Sequence, residues 1–159
     1  PVVIGVVVKN AAFWPAIVGA FLGSMVIFRI GINRALWVFG FLQWITIFGF
    51  VWLAAAATPE IWMLSIVIGA EYLGVGMGTA AYVAFIARET SRVAVATQLA
   101  LFTALASTPR LVTGAVSGII VDSMGWVDFF WLSAGLAMPG MLLLIWVAPW
   151  NGQQAPPVS

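Results

Sequence analysis

Ala35-Leu-Trp-Val-Phe-Gly-Phe-Leu-Gln-Trp-Ile-Thr-Ile-Phe-Gly-Phe-Val-Trp-Leu-Ala-Ala-Ala-Ala57 runs from one turn signal to the next without a charged side chain. A hydrocarbon core about 30 Å thick needs about 20 apolar residues at a rise of 1.5 Å each, so this stretch is long enough to cross a bilayer. Arg29-Ile-Gly-Ile-Asn-Arg34 closes it on one side and Thr58-Pro59-Glu60 on the other. The same spacing repeats outward. Arg88-Glu-Thr-Ser-Arg92 and Asp122-Ser-Met-Gly125 are the next interruptions. The chain therefore reads as an all-α, polytopic transmembrane bundle with helices over residues 11–28, 35–57, 61–87, 93–121 and 126–147. They form one membrane domain, 1–150, followed by a polar tail, 151–159. The fourth span is interrupted by Pro109 and Arg110.

Composition agrees with that reading. Of the 159 residues 64% are hydrophobic and 7% charged, with a mean hydropathy of +1.13, whereas soluble domains carry about 25% charged residues. The expected surroundings are lipid. A net charge of +1 with dispersed cations gives no footprint for nucleic acid. The absence of Cys and His excludes disulfides, thiolate or imidazole metal sites and His-dependent triads. No cofactor is expected and no enzyme activity: Glu71 is the one deep carboxylate, and Ser65, Ser107 and Thr108 have no His to activate them. Because the chain opens on Pro1 and closes on a polar tail, it is expected to be part of a longer protein whose remainder lies on the N-terminal side.

Short connections make neighbouring spans antiparallel, and Lys and Arg are retained in cytoplasmic loops. Arg29, Arg34, Arg88 and Arg92 share one side, which is assigned to the cytoplasm together with the C-terminus; Glu60, Asp122 and Asp128 share the other, with Lys9 as the positive exception. Trp37, Trp62, Trp126 and Trp150 fall near span ends, where an indole can reach the headgroups. Trp14, Trp44, Trp52, Trp131 and Trp146 are expected in packing or lipid contact.

A weak internal repeat links the first and fourth spans. Gly19-Ala-Phe-Leu-Gly23 and Gly114-Ala-Val-Ser-Gly118 each make a flat packing face, and each precedes a junction containing Gly31 or Gly125. Spans three apart run in opposite directions, as expected of inverted three-helix repeats in secondary transporters, and the pairing implies a further helix before the first span.

Glu71 and Arg110 are the ionisable residues furthest from any connection, each about 15 Å deep by axial rise. A charge near the bilayer centre costs from about 2.5 to over 10 kcal/mol, so each needs a partner or water. Equal depth on adjacent antiparallel spans makes a Glu71–Arg110 contact possible, and two readings stand: a structural ion pair that orients the helices, or one or both residues on a water-filled pathway for substrate or protons. Pro109 and Pro139 each remove a helical hydrogen bond and are expected to bend or break their spans. Gly74, Gly76 and Gly78 weaken the third helix and make it flexible or closely approachable.

The run Glu71-Tyr-Leu-Gly-Val-Gly-Met-Gly-Thr-Ala-Ala-Tyr-Val-Ala-Phe, then Ala96-Thr-Gln-Leu-Ala-Leu-Phe-Thr-Ala-Leu-Ala, Pro109-Arg110 and Gly118-Ile-Ile-Val-Asp-Ser-Met-Gly-Trp126, resembles the AmpG-type muropeptide permeases of the major facilitator superfamily. Gly5-Val-Val-Val-Lys9, Ile17-Val-Gly-Ala20 and Ala137-Met-Pro-Gly-Met-Leu-Leu-Leu144 extend the resemblance over most of the chain. It implies the last five helices of a twelve-helix facilitator in the bacterial inner membrane, importing anhydromuropeptides into the cytoplasm with protons. The partners it implies are the N-terminal half of the same transporter, the muropeptide and protons. It also implies that Glu71 and Arg110 line the cavity, with Thr97 and Gln98 at the inner end of the fourth span. Arg29-Ile-Gly-Ile-Asn-Arg34 departs from the facilitators' inter-helix motif by lacking its acidic residue before Arg29. Two other readings stand beside this one: a facilitator for another anionic solute such as acyl-coenzyme A, and a non-transporting assembly module.

Overall fold

The computed structural model describes residues 2–56, 60–90 and 95–152; the side chains of residues 2–4, 6–8, 95, 106, 109 and 110 lie outside that description. Thr58, Pro59, Arg92 and most of the polar tail are therefore outside it too. The described residues are almost wholly helical: α1 is Val2–Ile30, α2 is Ile32–Ala55 and α3 is Ile61–Glu89. A last run, Val95–Val147, is divided at Gly125, whose φ of 84° and ψ of 166° are not helical. We call its two parts α4 (residues 95–124) and α5 (Trp126–Val147). By length and composition Lys9–Ile30, Ile32–Ala55, Ile61–Glu89 and Trp126–Val147 can each cross a membrane, while α4 carries two shorter apolar pieces, Ala96–Leu105 and Leu111–Met124. This is a transmembrane helical bundle.

Two expected loops contract to one residue each. Helix α1 continues through Arg29 to Ile30 and α2 begins at Ile32, leaving Gly31 at φ 85° and ψ 162°. Asp122, Ser123 and Met124 are likewise helical, leaving Gly125. That region of dihedral space is open in practice to glycine alone. Gly31 also serves both helices: its N–H reaches the Ile27 carbonyl at 2.9 Å, and its carbonyl accepts from Ala35 N–H at 3.0 Å. Pro109 and Pro139 do not break their helices, and Pro15 sits inside α1 in the same way. In membrane helices a proline's lost hydrogen bond is absorbed by small local adjustments, so helix is retained.

Helix α1 packs chiefly on α3, at a crossing made by glycine. Gly19 and Gly23 are buried. A methyl group at Gly19 would overlap the Leu73 carbonyl, and one at Gly23 would lie 2.8 Å from Met77 Cα. From the other side, a methyl at Gly76 would overlap the Ala16 carbonyl. Without competing water, dispersion between closely approaching backbones holds such helices together. Helix α2 lies between α3 and α5. It meets α5 through aromatic rings, Phe48 against Trp131 at 5.5 Å and Phe50 against Phe130 at 5.3 Å. Trp44 donates to the Ala134 carbonyl at 3.0 Å and Trp37 to the Ala148 carbonyl at 2.9 Å. Trp37 thus spends its indole N–H on the protein rather than on headgroups.

Candidate functional site

Glu71 is ten residues into α3, in the middle of an apolar helix. Its partners are on α2. Gln43 Nε2 donates to Glu71 Oε1, and Thr46 Oγ1 lies 2.5 Å from Glu71 Oε2. Thr46 Oγ1 is also 2.7 Å from the Gln43 carbonyl. A hydroxyl has one hydrogen, so it serves one of those two acceptors at a time. The geometry accepts both states of Glu71. As a carboxylate, Glu71 receives the Thr46 hydrogen; as an acid, it donates to Thr46, which then donates to the Gln43 carbonyl. Gln43 and Thr46 are three apart and so share a face of α2.

Gly74 makes the reach possible. A methyl there would stand 2.7 Å from Gln43 Oε1, so any side chain would push the amide away from Glu71. One turn on, Gly78 meets no such neighbour and opens onto a groove of about 380 Å³ between α2 and α3, lined by Gln43, Gly74, Gly78, Thr79 and Tyr82 among others. The polar cluster therefore borders an apolar-walled groove rather than being sealed in packing.

The remaining sequence candidates lie on α4 and on the glycine faces. Arg110 is helical in α4, and its side chain is outside the described residues, as is that of Pro109. The carboxylate of Glu71 is engaged by Gln43 and Thr46. Thr97 and Gln98 lie in the first turn of α4, beside the end of α3. Glu71 is eighteen residues back from Glu89, roughly 27 Å by axial rise, so these two do not join its cluster. Gly114 and Gly118 have no atom within 4 Å of where a side chain would begin. Among the described residues no group of His, Cys, Asp or Glu could hold a metal.

Sequence reasoning missed Gln43 and Thr46, although they are the strongly polar residues of the charge-free stretch 35–57. It also missed Asn33. This buried side chain accepts from Arg88 Nη1 at 2.8 Å and donates to the Pro149 carbonyl at 3.1 Å, joining the α1–α2 junction, the end of α3 and the turn after α5. Arg88 also pairs with Glu89 at 2.9 Å, and Arg34 lies 5.8 Å from the Trp150 ring. Arg34, Arg88 and the turn after α5 thus meet at one end of the bundle.

No family model matches the chain. It is 51% identical over 152 residues to an uncharacterized protein of Haemophilus influenzae, covering 92% of this chain and 36% of that protein. It is 35% identical over 142 residues to the anhydromuropeptide permease of Escherichia coli K12, covering 89% of this chain and 29% of the permease. A protein of the same name in Escherichia coli O157:H7 matches equally well. The chain is a homologue of the AmpG-type permeases over about nine tenths of its length and corresponds to their C-terminal portion. It spans about a third of the length of the curated relatives it matches. With its apolar helices, this makes it a multi-pass membrane protein.

Proposed function

We propose that this chain is the C-terminal part of a proton-coupled secondary transporter of the major facilitator class, which carries anhydromuropeptides across the bacterial inner membrane into the cytoplasm. The observation that carries the proposal is the Glu71–Gln43–Thr46 cluster, in a chain 35% identical to an anhydromuropeptide permease. A lone carboxyl group in hydrocarbon is costly, and one kept there beside a groove marks a pathway. Hydroxyl and amide partners that satisfy both the acid and the carboxylate suit a group that gains and loses a proton during turnover. In this reading Glu71 carries the proton. Arg110, charged at any working pH, receives an anionic group of the cargo. The arginine-bearing end of the bundle and the C-terminus face the cytoplasm.

The test uses the full-length protein in proteoliposomes. Glu71→Gln is expected to abolish uptake driven by a pH gradient while exchange of labelled for unlabelled muropeptide continues. Arg110→Ala is expected to weaken binding and lower both. Full proton-driven uptake by the charge-swapped double variant, Glu71→Arg with Arg110→Glu, would make the pair structural and overturn these roles. For orientation, a cysteine at Thr90 is expected to resist an impermeant thiol reagent added to right-side-out cells, and one at Glu60 to react. The reverse pattern would invert the topology.

A further inference from the structure

Lys9 is the one cation near the Glu60 end of the bundle, whereas Arg29, Arg34 and Arg88 gather at the other. It is the first residue of Lys9–Ile30, the part of α1 long and apolar enough to cross a membrane. An ammonium at that level needs water or a partner. Among the described residues neither the Lys9 ammonium nor the Tyr72 hydroxyl has a hydrogen bond or an ion pair.

Both side chains line one groove, and the packing of α1 on α3 shows how it forms. The two helices run parallel, Gly19 facing Leu73 and Gly23 facing Met77, with their backbones in close contact there. Toward the Glu60 end they part. Gly69 has only ordinary contacts with Ala11 and Pro15, at 3.8 Å, and Gly5 has no atom within 4 Å of where a side chain would begin. Along this parting lies a groove of about 460 Å³, within the size range of small-molecule sites. Gly5, Lys9, Ala12, Phe13 and Ala16 form its α1 wall, at the spacing of a single helix face, and Tyr72 enters from α3. Tyr72 therefore serves the α1 side of α3, while its neighbour Glu71 is held on the α2 side by Gln43 and Thr46.

The lining has the chemistry of a site for an anionic solute: one ammonium, one hydroxyl able to donate, and walls of methyl groups and an exposed aromatic ring, Phe13. We propose that this groove takes the peptide end of the cargo, with Lys9 on a carboxylate and Tyr72 donating a hydrogen bond to the same group. The inference rests on the reading that the cargo is an anhydromuropeptide, whose peptide supplies the carboxylate. In the orientation proposed above Lys9 stands at the outer rim, so it acts on capture of the cargo, and its loss is read in KM.

Uptake by the full-length protein in proteoliposomes tests this, with labelled anhydromuropeptide and with a second cargo whose peptide carboxylates are all amidated. Lys9→Gln is expected to raise KM for the free acid several-fold with little change in maximal rate, and Lys9→Arg to keep the wild-type value. For the amidated cargo, wild type and Lys9→Gln should share one raised KM. Tyr72→Phe should raise KM for the free acid by a smaller factor. An unchanged KM in Lys9→Gln would overturn the groove while leaving muropeptide transport standing. So would an equal rise for both cargoes, which would give Lys9 to a lipid phosphate or to packing. Wild-type protein that takes up neither cargo would overturn the transport reading, and the groove with it.

Discussion

Helix α2 takes hold of α3 through two polar clusters, one in mid-membrane and one at the end of the bundle, and they are built differently. At the end, Asn33 bridges a guanidinium and a backbone carbonyl, Arg88 and Pro149. Neither partner changes charge at working pH. In mid-membrane, Gln43 and Thr46 hold a carboxyl group that can exist in two states. The first cluster is a fixed fastening between three elements. The second accommodates a change without losing its partners. One helix thus carries both a clamp and a site that can switch.

Removing the two described partners of Glu71 should have the largest effect. Gln43→Leu with Thr46→Val takes two hydrogen bonds from the carboxyl group, at about 1–3 kcal/mol for each lost bond. Uptake by the full-length protein is expected to fall by on the order of a hundredfold or more. Uptake near wild type would mean that Glu71 has other partners, and the contrast between the clusters would collapse.

Thr46→Val alone keeps shape and removes the hydroxyl. Proton-driven uptake is expected to drop about tenfold, with little further loss when it is added to Glu71→Gln, because residues acting as a unit are not additive. Full additivity in that cycle would separate Thr46 from Glu71. Gly74→Ala should act more mildly, displacing Gln43 and lowering uptake a few-fold while detergent-purified yield stays the same. An unchanged rate would show that Gln43 is not needed where it stands.

Asn33→Ala should act on stability and leave coupling alone. It strips Arg88 and Pro149 of a buried partner, at about 1–3 kcal/mol. The expected outcome is a lower unfolding temperature in detergent and an unchanged ratio of proton-driven uptake to exchange. A changed ratio would give the end cluster a part in turnover and erase the distinction.

The helices were legible because hydrocarbon sets their length: charges and turn residues cut the sequence at the interval a bilayer demands. The glycine face of α1 was legible for a related reason, since only small residues four apart allow backbones to approach. The α2 partners of Glu71 were not. Axial rise gives the depth of a residue, and the Arg110 that depth singled out has its side chain outside the described residues. Contact also requires the right azimuth, and a helix apolar all round carries no polar stripe to report how it is rotated. Gln43 and Thr46 were nevertheless within reach of sequence reasoning, as two polar residues on one face of a charge-free span. Asn33 was hidden by its neighbours, because next to Arg29 and Arg34 it read as part of a hydrated loop that the structure replaces with one glycine.

Gly31 and Gly125 have one more consequence, and it concerns handedness. A φ near +85° with an extended ψ, reflected, falls at the edge of the ordinary extended region, so it is open to a right-handed amino acid where a left-handed one is strained. At these two points the chain uses an achiral residue in place of an enantiomer its biosynthesis does not supply. In a semisynthetic protein, D-alanine at either position should be accepted, and L-alanine there should force the two flanking helices apart.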